Sequence, residues 1–356
     1  EQIYSVSRAE LNRLLLDCAE RMHGVALRFD SRAVSFDPAS HEVQLQTGND
    51  TGPRALRASP LIAADGAGSV IRRAYGSDSV IAPREDLLAH GYKEFSLPAD
   101  ADGGFQLEAN ALHIWPRGGF MLIALPNPGG DFTLTLFLPN DGDTSFASLD
   151  TPAAVDTFFR REFADIYPLL PHLKDEFAAN PVGILGTVRC QRWHDGDVLL
   201  IGDAAHAIVP FHGQGMNLAF EDCVLLDEMA AMADRDWPAV FAAFEHQQRP
   251  NGNAIADMAL DNYIEMRDRV RDPQFVLWKS LAFEFERRMP DRFIPRYSMV
   301  MFHPEIPYAV AQQRGAIQQA LLQRISNGAS AIEDIDLDAA EALIRAELPA
   351  LDAGRQ

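Results

Sequence analysis

The spacing of apolar positions changes character several times along the chain. Leu11, Leu14, Leu15 and Cys18 recur at three- and four-residue intervals, which predicts a helix over 8–22. Ser7 followed by Glu10 is a capping-box pattern and sets the start of that helix at Ser7. Short runs over 26–29, 33–36 and 42–47 read as strands, with a turn at Asp37-Pro38 and a hairpin tip over 48–53. Residues 59–64 read as a short buried strand that runs into Asp65-Gly66.

From 91 to 138 the pattern becomes short apolar and aromatic runs, 92–97, 111–115, 120–125 and 132–138. Gly103-Gly104, Gly118-Gly119 and Pro128-Gly129-Gly130 separate them, which predicts an antiparallel sheet of at least four strands. Alternation puts Met121 and Leu125 on one face of a strand, and Leu112 on the same face of its neighbour. A helix over 151–163 follows, with Thr151 as N-cap and Pro152 in first position. Strands are predicted over 182–190 and 197–201, and mostly helix from there to the end. The acidic stretch 328–356 reads as a solvated amphipathic tail. The fold class is α/β interrupted by an antiparallel sheet, in two interleaved domains.

Composition narrows the function. The 356 residues are 47% hydrophobic and 23% charged, as in ordinary globular domains, and the formal net charge is −20. That charge excludes nucleic acid and disfavours an anionic membrane surface. Any anionic ligand must be held by local arginines or backbone N–H groups. Cys18, Cys190 and Cys223 are widely spaced without a CxxC pair. They are expected to be buried small hydrophobes in a reducing compartment, with no metal site. The absence of a long apolar run and of a signal-peptide pattern adds the expectation of a soluble, cytoplasmic chain, monomeric or homodimeric.

The segment from Val198 to Asn217, VLLIGDAAHAIVPFHGQGMN, carries the chemistry. An apolar strand runs into Gly202-Asp203, the place where open α/β sheets bind ligands. Gly213 and Gly215 let the backbone approach a flat ligand and open a helix over 216–232. The N-terminus of that helix favours negative charge on a ring edge. Asp203 offers an acceptor to polyol hydroxyls, so the combination suits a flavin better than a nicotinamide. His206 reads as structural.

Gly202-Asp203-Ala204-Ala205-His206 resembles the GDAAH motif of the flavin-dependent aromatic hydroxylases, the group A monooxygenases. Within that group, the segments starting at Tyr4 (YSVSRAELNR), Leu112 (LHIWPR), Met121 (MLIALPN), Ile208 (IVPFHGQGMN) and Asn262 (NYIEMR) are similar to the kynurenine 3-monooxygenase family, in its bacterial branch. The resemblance runs from about residue 2 to about residue 310. It implies an FAD-dependent hydroxylase fold divided into 1–85 (partial FAD-binding domain), 86–180 (sheet domain), 181–235 (FAD-binding domain continued) and 236–356 (helical region and tail). It implies FAD as cofactor, NADPH and O₂ as co-substrates, and L-kynurenine hydroxylated to 3-hydroxykynurenine in tryptophan degradation, with no acid–base residue.

For the cofactor, the resemblance implies Arg8, Ala33 through its backbone, Asp65, Gly66 and Arg72 of the DGAGSVIR box, and Gly202, Asp203, Gly213, Gly215, Met216 and Asn217. A cation in the first turn of a helix, as Arg8 is, makes sense beside a phosphate. Arg72 and Arg73 follow a Gly-rich turn in the way a phosphate site would. For the substrate, the resemblance implies Asn262, Met266 and Tyr297, with Met121, Leu125 and Phe137 lining the ring pocket and Leu112 and His212 nearby.

The family's opening GxGxxG is absent from these residues, and Gly66-Ala67-Gly68 lacks the third glycine. The expectation is a chain without roughly the family's first quarter, the size of a βαβ unit plus a helix. Two other readings stay open at this point: a related hydroxylase for a phenol or benzoate, and a chain that is inactive by itself.

Overall fold

In a computed structural model, the chain is described over residues 6, 8–48, 52–232, 236–269 and 272–351. It divides into two units, Glu1–Leu200 and Ile201–Gln356.

The first unit opens with helix α1 (Arg8–Arg21), none of whose residues is buried; the proposed cap Ser7 lies outside the described residues. Strands β1 (Ser31–Asp37), β2 (Glu42–Thr47) and β3 (Arg54–Arg57) form a small antiparallel sheet in the order β1-β2-β3. The strand expected over 26–29 is not there. Val25 and Phe29 are exposed, and Asp30 takes a positive φ that turns the chain straight into β1. An apolar run without a partner strand has no ladder to join. Strand β4 (Leu61–Ala63) leads to the short helix α2 (Val70–Ala74) and pairs in parallel with β11 (Val198–Leu200), which also pairs with β10 (His194–Asp195).

The main sheet holds β5 (Pro83–Leu97), β6 (His113–Pro116), β7 (Met121–Pro126), β8 (Phe132–Pro139) and β9 (Gly183–Cys190) in the order β6-β7-β8-β5-β9. Alternation sorts its faces. Leu122, Ala124, Leu134, Leu136, Leu138, Phe95 and Leu97 point to helices α3 (Pro152–Glu162) and α4 (Leu173–Ala179), and form one core with Val155, Phe158, Phe159 and Phe177. Each fully buried Phe contributes about 2 kcal/mol of apolar transfer. As expected, Thr151 caps α3, its hydroxyl accepting from Ala154 N at 3.2 Å, with Pro152 next. The opposite face carries Met121, Ile123, Leu125, Thr133, Thr135 and Phe137.

The second unit is helical: α5 (Asp203–His206), α6 (Gly215–Met232), α7 (Trp237–Ile264), α8 (Pro273–Arg288), α9 (Arg296–Phe302), α10 (Tyr308–Ile325) and α11 (Leu337–Glu347). A π-helical turn, Glu265–Arg269, continues α7. One core joins Leu218, Ile255, Met258, Met299 and Tyr308 of α6, α7, α9 and α10. A second joins α8, α10 and α11, so the tail is not merely solvated: Ala340, Ile344 and Leu348 are buried in it. Cys190 is buried, but Cys18 and Cys223 are exposed, against expectation. Cys18 lies on α1, which buries no residue, and Cys223 lies off the buried stripe Leu218, Asp222 and Leu226 of α6, which spacing alone did not reveal. No helix among the described residues is long and apolar enough to cross a membrane.

Candidate functional site

The turn at Gly202 has φ 56° and ψ −145°, a conformation that only glycine adopts without strain. It redirects the chain from β11 into α5. A single buried carboxylate fixes it. Asp222, fully inaccessible on α6, accepts from Gly202 N at 2.8 Å and pairs with His206 Nε2 at 2.6 Å. His206 is thus structural, as its sequence context suggested. Ala204, Ala205 and His206 are buried, while Asp203 between them and the glycine is exposed. The scaffold of the motif faces inward, and its one free carboxylate faces outward.

Twelve residues after Gly202, Gln214 anchors the next turn through side-chain partners. It is buried, its Oε1 accepts from Asn217 Nδ2 at 2.8 Å and from the Tyr308 hydroxyl at 3.1 Å, and its Nε2 lies 3.2 Å from Met301 Sδ. Gly213 is left-handed (φ 66°), and a Cβ there would meet nothing within 4 Å. Gly213, Met216 and Asn217 are exposed at the start of the 18-residue α6. Open backbone, a helix N-terminus and an exposed carboxylate form a donor and acceptor set that fits the ribityl and ring half of a flavin.

Beside this segment, Phe211 stacks on Tyr263 (centroids 4.1 Å, 16°) and His212 on Tyr297 (5.5 Å, 26°). Asn262 Nδ2 donates to Phe211 O at 2.7 Å and lies 3.5 Å from Met266 Sδ, so Asn262 and Met266 share a face as their spacing predicted. The structure therefore brings His212, Asn262, Met266 and Tyr297 into one cluster. Burial, with the Arg296 charge, pushes the His212 imidazole down to about 4, so it is neutral at pH 7. Its Nδ1 is buried without a hydrogen-bond partner, which leaves it open to one from a ligand.

In the first unit, Met121 lies directly opposite Phe137, and Phe137 opposite Tyr92, whose ring is 6.2 Å away. Met121 and Phe137 are buried and Leu125 is exposed. Leu112 is exposed and falls one residue before β6, not on the strand as expected, because β6 begins its pairing with β7 only at His113, opposite Ala124. Arg8 is exposed at the start of α1, and Ala33 sits at a bulge in β1.

The DG box differs from expectation at its arginine. Arg72 is fully buried, and its Nη2 donates to Ala67 O and to Glu85 Oε1 at 2.6 Å. The side chain is committed within the fold, and the exposed guanidinium of the pair is Arg73. Asp65 is likewise engaged, accepting from Val70 N at 2.8 Å at the start of α2, after the left-handed Gly66 (φ 81°).

Residues that the sequence reading missed are Asp222, Gln214, Tyr308 and Tyr92. Asp222 left a signal: it stands in the buried stripe Leu218, Asp222, Leu226, one acid at a core spacing.

A family model described as FAD binding domain matches residues 172–259. Among solved structures, the tetrameric form of 2-methyl-3-hydroxypyridine-5-carboxylic acid oxygenase aligns with a TM-score of 0.58 at 21% identity, over 77% of this chain and 72% of that one. Klebsiella pneumoniae HpxO complexed with FAD and uric acid aligns at 0.56 and 21%, over 79% and 68%. The fold is that of the FAD-dependent hydroxylases, and the cofactor is FAD.

Kynurenine 3-monooxygenase of Stenotrophomonas maltophilia (strain K279a) is 48% identical over 353 residues, 99% of this chain and 77% of that protein. The enzyme of the same name from Xanthomonas axonopodis pv. citri (strain 306) is 47% identical over the same shares. The chain belongs to the kynurenine 3-monooxygenase family.

Proposed function

We propose that this chain carries out the FAD- and NADPH-dependent hydroxylation of L-kynurenine to 3-hydroxykynurenine. The observation that carries the reading is the cluster of His212, Asn262, Met266 and Tyr297, which Phe211 and His212 join directly to Gly213–Asn217. An aromatic substrate against that cluster lies beside the helix N-terminus that suits a flavin's ring edge. FAD bound here would supply the redox chemistry by which NADPH and O₂ hydroxylate an aromatic ring, one oxygen atom entering the ring and the other leaving as water.

The chain's own residues position and shield. Asp203 accepts hydrogen bonds from the ribityl hydroxyls; Gly202, Gly213 and Gly215 give the backbone approach, and Met216 and Asn217 hold the ring edge. The α6 N-terminus offsets negative charge there. His212 stays neutral and accepts a hydrogen bond; Tyr297 and Met266 pack on the substrate, and Asn262 meets its polar end. Within the first unit, Met121, Leu125, Phe137 and Leu112 offer apolar side chains of the kind an aromatic ring packs on. No proton-transferring residue is required at the ring, which agrees with the buried, paired state of His206. For cofactor phosphates, Arg8 and the exposed Arg73 suit the role better than Arg72, with Asp65, Gly66 and Ala33 shaping the backbone.

The test is NADPH oxidation by the FAD-loaded chain with L-kynurenine and with 4-hydroxybenzoate, and mass analysis of the product. The reading predicts stimulation by kynurenine alone and a product heavier by one oxygen. Stimulation by 4-hydroxybenzoate alone would move the substrate to the phenol and benzoate class; no bound flavin would leave the chain inactive by itself.

A further inference from the structure

We propose that Arg296 is a positioning residue that sets the register of Tyr297 against Asn262 and Met266, using Gly315 as the gap through which its stem passes. The inference rests on the substrate role proposed for those three residues. Arg296 opens α9, immediately before Tyr297. Its Nη1 donates to Asp261 Oδ2 at 3.0 Å and its Nη2 to Glu265 Oε1 at 2.9 Å. Those carboxylates are one turn apart, and each directly precedes a proposed substrate contact, Asn262 and Met266. One planar guanidinium therefore spans both, a geometry that lysine does not reproduce.

The location of the clasp argues for a role in geometry. It closes where α7 passes into the π-helical turn Glu265–Arg269, a departure from regular helix often found at functional positions. Asp261 is more than half exposed, so the pair adds little to stability. Yet the fold makes room for it. A Cβ on Gly315, in the interior of α10, would lie 2.6 Å from Arg296 Cδ and 3.0 Å from its Cβ. Glycine is a poor choice inside a helix unless something needs the space. The same guanidinium also helps keep His212, stacked on Tyr297, neutral.

The experiment compares Arg296→Gln, Arg296→Lys and Gly315→Ala with the parent chain, each FAD-loaded. Kynurenine affinity is measured by calorimetry, and the ring-current shift of the His212 Cε1 proton on Tyr297 by NMR. Arg296→Gln is expected to weaken kynurenine binding about tenfold and to diminish the ring-current shift, at unchanged flavin content. Arg296→Lys recovers part of both, and Gly315→Ala moves both in the direction of Arg296→Gln. Affinity within about twofold of the parent in Arg296→Gln, or an unchanged ring-current shift, overturns the proposal. If the parent chain does not bind kynurenine, the substrate reading has failed. The NMR comparison then still decides whether Arg296 sets Tyr297.

Discussion

Two glycine–aspartate turns in this chain invite the same interpretation, and the structure uses them differently. At Gly202-Asp203, other residues hold the turn: Asp222 takes the Gly202 amide and His206, and the Asp203 carboxylate is left facing solvent. At Asp65-Gly66, the motif's own side chains do the holding. Asp65 accepts from the first amides of α2, and Arg72 is spent on Ala67 O and Glu85. A motif identifies a turn; whether its polar side chains reach a ligand depends on who satisfies the turn's backbone. Where a remote residue does so, the motif's own groups remain available.

The comparison can be broken by substitution. Asp222→Ala should cost about 3 kcal/mol of unfolding free energy, because it removes the buried carboxylate that both His206 Nε2 and the Gly202 amide meet. Urea denaturation measures this, and a loss below about 1 kcal/mol would mean that the turn is held elsewhere. In the DG turn the same penalty should fall on a motif residue. Arg72→Ala should lose about 2–3 kcal/mol, whereas Arg73→Ala should leave the unfolding midpoint in place and weaken FAD binding severalfold. The reverse pattern would put Arg72 on the ligand side.

A pH series sharpens the same contrast at His212. Its folded pKa of about 4 lies below the reference value of 6.5, so the unfolded chain binds the proton more readily. Its contribution to stability is complete above pH 6.5 and is lost as the pH falls from 6.5 toward 4. Between pH 7 and pH 5 the loss should be about 2 kcal/mol. His212→Gln should flatten that part of the curve, and a parallel curve for the variant would show that His212 is not the group responsible.

Much of this was legible in the sequence, for reasons that differ by element. The Thr151-Pro152 helix start and the alternation in β7 and β8 are local, and local chemistry decides them. The partner of a strand is not local. Nothing in 182–190 says that β9 pairs with β5, and nothing in 26–29 says that it pairs with none. Adjacent arginines pose the same difficulty, because helix phase decides that Arg72 turns inward and Arg73 outward, and a five-residue helix offers too little periodicity to read it. Asp222 stands in an otherwise apolar stripe, and its partners lie 16 and 20 residues earlier, beyond the reach of any window on one helix.

Asp203 tests the account most directly, because it is the exposed carboxylate that the scaffold around Gly202 leaves available. FAD affinity of the purified chain and of Asp203→Ala, read by quenching of flavin fluorescence alongside thermal unfolding, separates binding from folding. The account predicts FAD binding about tenfold weaker in Asp203→Ala with the unfolding midpoint of the flavin-free protein unchanged. Equal affinity in the two proteins, or a loss of affinity matched by a loss of folding, would contradict it.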